Sequence, residues 1–102
     1  MYTIEYLPIA KSDMVDIAKY IGVKLENPEA AERLAEKMIE AAEKLTDMPY
    51  KCPVYIPVKP LRHEYRKLIV QNYIMFYWVD EDKKRITIAR VVYSGRDYEN
   101  LL

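Results

Sequence analysis

Apolar residues in this chain recur at two different periods, and each period marks a different kind of element. Tyr2-Thr3-Ile4-Glu5-Tyr6-Leu7 alternates in steps of two and ends at Pro8, which predicts a short first strand running into the first turn of a helix. Met14, Ile17, Ala18 and Ile21 then stand at i, i+3, i+4 and i+7, one helical stripe with Gly22 as its expected stop. Asn27-Pro28-Glu29 reads as N-cap, proline at the first helical position and an acid in the first turn, so a second helix opens there. Its apolar stripe is Leu34, Met38, Ala41, Leu45 and Met48, while Glu32, Glu36, Lys37, Glu40, Glu43 and Lys44 fill the outer side. The methionines of that stripe are expected in the core.

Pro49, Pro53, Pro57 and Pro60 then exclude helix and central strand and predict an extended loop. Between Tyr65 and Tyr93, three runs rich in β-branched and aromatic residues are separated by Gln71-Asn72 and by Asp80-Glu81-Asp82-Lys83-Lys84, which predicts three strands joined by hairpins. In the middle run Tyr73, Met75, Tyr77 and Val79 face one way and Ile74, Phe76 and Trp78 the other. A strand apolar on both faces belongs in the centre of a sheet or under a partner. Strict alternation in the last run puts Ile86, Ile88, Arg90 and Val92 on one face and Thr87, Ala89, Val91 and Tyr93 on the other, so Arg90 interrupts an apolar row. The order strand–helix–helix–strand–strand–strand predicts an α+β fold with the helical hairpin packed on a mostly antiparallel sheet. At 102 residues this is a single domain spanning 1–102, without repeats or linkers.

Charge adds an asymmetry to this picture. The formal net charge is zero, yet residues 1 to 50 hold six Lys and Arg against ten Asp and Glu, and residues 51 to 102 hold ten against six. The strand half is therefore the basic half, which suits an anionic partner on that side. One cysteine, Cys52, and one histidine, His63, exclude an internal disulfide and a cysteine-based zinc site, so no metal or cofactor is expected. Met1-Tyr2-Thr3-Ile4-Glu5 has no basic and apolar leader, and no run approaches a membrane span, so the expected location is the cytoplasm and no membrane is involved.

The element order, the helical phrase Pro28-Glu29-Ala30-Ala31-Glu32-Arg33-Leu34, the strand pair Val70-Gln71-Asn72-Tyr73-Ile74-Met75-Phe76-Tyr77 and the ending Arg90-Val91-Val92-Tyr93-Ser94-Gly95-Arg96-Asp97-Tyr98 resemble the RelE/ParE superfamily of bacterial toxins. That resemblance covers essentially the whole chain. It implies a toxin of a type II toxin–antitoxin module, held inactive in a hetero-oligomer by a cognate antitoxin that lies across its sheet and helices. The ParE branch is associated with inhibition of DNA gyrase, and the RelE branch cleaves messenger RNA in the ribosomal A site. Asn72-Tyr73-x-x-Phe76-Tyr77, the ending Tyr93-x-Gly95-Arg96-Asp97 and a helical hairpin from Pro8 to Met48 lean to the ParE branch. The alternatives are a RelE-like ribonuclease and a degenerate member that only binds antitoxin.

Metal-free RNA cleavage needs a base for the 2′-hydroxyl, cations for the phosphate and an acid for the leaving oxygen. By resemblance to RelE-like enzymes that set is Arg96, Tyr93, Arg66, Lys59 and His63, with Ile74 standing where those enzymes place an arginine. Losing such a cation costs a few kcal/mol of transition-state stabilisation, on the scale of one oxyanion-hole donor. For a target or antitoxin surface the candidates are Arg62, Arg90, Arg96, Tyr77 and Tyr98, because Tyr and Arg dominate interface hot spots.

Overall fold

Thr3–Tyr6 forms β1 and Pro8–Lys19 forms α1 in the computed structural model, which describes residues 1–102. Pro8 opens the helix where its missing N–H costs nothing. The helix does not stop at Gly22. It widens into a π-turn over Tyr20–Lys24, and the chain reverses at Glu26, whose φ of 52° is left-handed. Asn27 then caps α2, Pro28–Lys44, by accepting a hydrogen bond from the Ala30 N–H at 3.2 Å. Leu34, Met38, Ala42 and Leu45 are buried, but Met48 is exposed because the helix has already ended at Lys44.

Residues 45 to 65 hold no helix or strand, as their prolines dictate, and pair with the sheet through one bridge, Val54 with Arg66. Arg66–Val70 is β2, Tyr73–Asp80 is β3 and Arg85–Tyr93 is β4. The sheet order is β1-β4-β3-β2, with β1 parallel to β4 and the other pairs antiparallel. The strand with two apolar faces, β3, is thus interior. Met75 and Tyr77 point into the helix-side core with Leu34, Met38, Leu45 and Ile88. Ile74 and Phe76 join Tyr55, Tyr65, Ala89 and Val92 in a second core on the outer face.

Strict alternation fails in β4. Phe76 lies opposite Arg90 and Tyr77 opposite Ile88, so Ala89 is an extra residue in a bulge. Past the bulge the faces exchange: Val91 joins Ile86 and Ile88 on the helix side, and Val92 joins Ala89 on the outer side.

The open end of the β3–β4 turn is tied down by Glu81, whose carboxylate accepts from the Tyr2 hydroxyl at 2.8 Å, the Tyr50 hydroxyl at 2.6 Å and the Lys84 ammonium. The hydrogen bonds from Lys84, Tyr50 and Tyr2 hold the carboxyl down to about 2 from an ordinary 4.5. A depressed folded-state value stabilises the fold above the ordinary value and is lost as pH falls through the folded one. The melting temperatures of the wild type and Glu81→Gln are therefore expected to differ at neutral pH and to converge between pH 4.5 and 2. No helix is long and apolar enough to cross a membrane.

Candidate functional site

Arg96 leaves the end of β4 one residue after Gly95. A Cβ at Gly95 would meet the Tyr93 ring at 2.5 Å, so glycine is what lets that exposed ring lie over the turn. The turn is held by hydrogen bonds from the Ser94 N–H to the Asn72 carbonyl at 2.8 Å and from the Arg96 N–H to the Tyr93 carbonyl at 3.0 Å. The Arg96 side chain is exposed and enters no ion pair, with neither Asp97 nor Glu99 as partner. Tyr93 packs edge-on against Tyr73, ring centres 6.0 Å apart. Arg96 and Tyr93 therefore form one free, mixed aromatic and cationic corner.

Arg66 is at the other end of the hairpin. It sits opposite Tyr77, four residues along β3 from Tyr73, which at strand spacing is about 13 Å. Its guanidinium donates to the Cys52 carbonyl at 2.7 Å and the Tyr50 carbonyl at 3.1 Å, and reaches Glu64 at 3.5 Å. With 17 % of its side chain exposed, Arg66 fastens the proline-rich loop to β2. His63 stacks flat on Trp78, centres 3.8 Å apart and 5° from parallel, with Tyr65 edge-on to both. Lys59 lines a shallow cleft of about 230 Å³ between the loop and the chain end, with Leu61, Glu99 and Leu102. Arg62 is exposed beside Tyr65, whose phenol burial pushes up and the Arg62 charge pulls down.

The structure thus brings Arg96 and Tyr93 together and leaves Arg66 and His63 apart from them. A base or acid must stand within about 3.2 Å of the proton it moves, directly or through one water, so these groups do not share one phosphate in this conformation. Ile74, in the place of an arginine, is buried in the outer core beside Val92.

Two of the residues expected at a partner surface are engaged internally. Tyr77 is fully buried, and its hydroxyl donates to the Pro49 carbonyl at 2.8 Å, which satisfies the phenol inside the core. Arg90 donates through Nε and Nη2 to Asp13 of α1 at 2.8 and 3.0 Å, and through Nη1 to the Leu101 carbonyl at 3.3 Å. Tyr98 packs on Phe76 and Tyr55, centres 5.2 and 5.9 Å away, under the chain end. The Tyr55 hydroxyl beneath it is buried without a partner.

A structural pair between Arg90 and an acid from a helix is one reading of its place on an apolar strand face, and Asp13 is that acid, which the sequence alone did not single out. Its signal was an acid three residues after buried Ala10 and four before Ile17, on the stripe that faces the sheet. No three His, Cys, Asp or Glu side chains gather as a metal site.

Comparison with known proteins places this geometry. No curated protein matches the sequence. Among solved structures, the fold is similar to the chromosomal ParDE system of P. aeruginosa, with a TM-score of 0.71 and 19 % identity over 91 % of this chain and 96 % of that one. It is also similar to the archaeal RelE–RelB complex from Pyrococcus horikoshii OT3, with a TM-score of 0.62 and 17 % identity over 94 % and 98 % of the two chains. The RelBE2 toxin–antitoxin complex from Mycobacterium tuberculosis follows with 0.58 and 21 % over 90 % and 96 %. The model of the ParE toxin of the type II toxin–antitoxin system parDE matches residues 4–98, nearly the full length, and this chain therefore belongs to the ParE toxin family.

Proposed function

We propose that this toxin arrests growth by binding its target, in the manner of the ParE branch with DNA gyrase as that target, and not by cutting RNA. The observation that carries the reading is the division of the cations. Arg96 is free at an exposed corner with Tyr93, while Arg66 is spent on loop carbonyls at the far end of the hairpin. Binding needs one accessible patch of Tyr and Arg, whereas cleavage needs base, acid and clamp around one phosphate. Its cognate partner in this reading is an antitoxin, as in the toxin–antitoxin complexes to which the fold is similar. The site of action is the cytoplasm, where gyrase and the ribosome both reside.

Induced without an antitoxin, the wild-type chain is expected to stop colony growth, and Arg96→Ala is expected to restore it while melting at the same temperature. Normal growth on induction of a folded wild-type chain sinks the proposal.

A further inference from the structure

Three residues other than glycine take a left-handed backbone, Glu26 at φ 52°, Gln71 at 54° and Lys84 at 52°. Two of them border the same place. Glu26 lies between Leu25 and Asn27, and those two and Gln71 line a cleft of about 320 Å³ between the bend of the helical hairpin and the β2–β3 turn. The helical wall is irregular as well, because Tyr20 and Ile21 belong to the π-turn, a helix defect that is frequent at functional sites. Gln71 opens a two-residue hairpin loop in which it alone is left-handed, a position that glycine normally fills. Keeping a full side chain there costs energy that glycine would spare, and such strain collects where a site needs the side chain.

The lining carries no charge. Ile21, Leu25 and Leu34 supply apolar surface, and the polar groups are three carboxamides, Asn27, Gln71 and Asn72, and two phenols, Tyr20 and Tyr73. The Asn27 Oδ1 accepts from the Ala30 N–H, which leaves its Nδ2 to donate. The side chains of Gln71, Asn72, Tyr20 and Tyr73 enter no hydrogen bond within the chain. Cations flank this neutral cleft. Lys24 is exposed in the π-turn beside Leu25, and on the other side the Tyr73 ring leads through Tyr93, 6.0 Å away, to the exposed Arg96. Neither cation enters an ion pair.

We propose that this cleft binds an adenine nucleotide. A neutral cleft with tyrosines in its wall takes a flat uncharged ring, since every base has a face that stacks on an aromatic side chain. The carboxamides narrow the choice, because an amide sets a donor beside an acceptor, the pattern that pairs with N6 and N7 of adenine. Gln71, brought to the cleft by its left-handed backbone, has that role. The space is at the lower end of the range for small-molecule sites, with room for a base and ribose but not for their phosphates. The phosphates then lie outside, where Lys24 and Arg96 are charged donors for them. Neither the cleft nor its ligand rests on the reading of the target given under Proposed function.

The test titrates the folded full chain with ATP, GTP, UTP and adenosine and follows the amide chemical shifts. ATP is expected to saturate below about 1 mM, with shifts at Gln71, Asn72 and Ala30, and to bind about tenfold or more tighter than GTP or UTP. Adenosine shifts the same amides but binds about tenfold more weakly, having no phosphate for the cations. Gln71→Gly removes the amide and relieves the turn, so it weakens ATP by about tenfold or more without lowering the melting temperature. Tyr20→Ala, at a residue 51 % exposed, weakens ATP as well. Absence of saturable shifts, equal affinity for the three triphosphates, or undiminished ATP binding by Gln71→Gly overturns the proposal. So do shifts confined to Lys24 and Arg96, which reduce the site to phosphate on surface cations. Binding of oligo-dA about tenfold or more tighter than ATP overturns it too, by making the occupant a nucleic-acid strand. None of these results touches growth arrest by the free chain, so this proposal and the functional reading fail separately.

Discussion

Asp13→Ala is expected to lower the stability of the domain by about 3–5 kcal/mol, the usual cost of removing one partner from a buried ion pair. Beyond Ile88, β4 loses its neighbour, because β1 ends at Tyr6 and the chain turns into α1. The exposed ladder position is closed by Asp13, which accepts the Val91 N–H at 2.9 Å and two guanidinium donors of Arg90 at 2.8 and 3.0 Å. Both side chains are 13 % exposed, so the substitution leaves the Arg90 guanidinium with only the Leu101 carbonyl and the Val91 amide with no partner, in a place water hardly reaches. A domain of ordinary stability, about 5–15 kcal/mol, becomes marginal after that loss. The pair substitution Asp13→Leu with Arg90→Met is expected to cost much less, since it removes both charges together. Urea unfolding of the three proteins decides the matter. A single-substitution loss within about 0.5 kcal/mol, ordinary for surface changes, contradicts the assignment.

Arg66→Ala is expected to cost about 2–3 kcal/mol, because two carbonyls lose a charged donor and the loop loses its fastening to β2. The loss is local as well as global: amide exchange at Tyr55 and Lys67, whose N–H groups hold the loop strand, is expected to speed up in native conditions. Arg66→Lys recovers only part of it, since one ammonium replaces a planar fork set between two acceptors. An Arg66→Ala protein that melts like the wild type, with unchanged exchange at those two amides, removes the structural role and returns Arg66 to the candidates for phosphate contact.

Much of the architecture follows from local chemistry, and the exceptions have identifiable causes. Asn27-Pro28 announces the second helix because capping needs only neighbouring residues. The interior place of β3 follows from apolar residues on both its faces. The bulge at Ala89 carries no such mark: no glycine or proline flags it, and only the register against Phe76 and Tyr77 creates it. Its consequence, the exchange of Val91 and Val92 between the two cores, is equally hidden. The parallel pairing of β1 with β4 joins the two ends of the chain, a long-range contact that no window of sequence contains.

The candidate site was legible in part for the same reason. Arg96 after Gly95 reads as an exposed cation from local sequence, and the structure keeps it exposed. Arg66 and Arg90 look alike in sequence but are occupied by groups that folding brings from elsewhere, the Cys52 carbonyl and the Asp13 carboxylate. Tyr77 was expected at a surface because tyrosines favour interfaces, yet Pro49 offers its hydroxyl an acceptor inside the core.

The proposed action of this toxin is through a binding corner at Arg96 and Tyr93. Its most direct test is supercoiling of relaxed plasmid by purified gyrase in the presence of the purified chain, with messenger RNA ends mapped in parallel after induction in cells. Loss of supercoiling is expected with the wild type, recovery with Arg96→Ala, and no new RNA ends at the ribosomal A site. Unimpaired gyrase together with A-site cuts would contradict it.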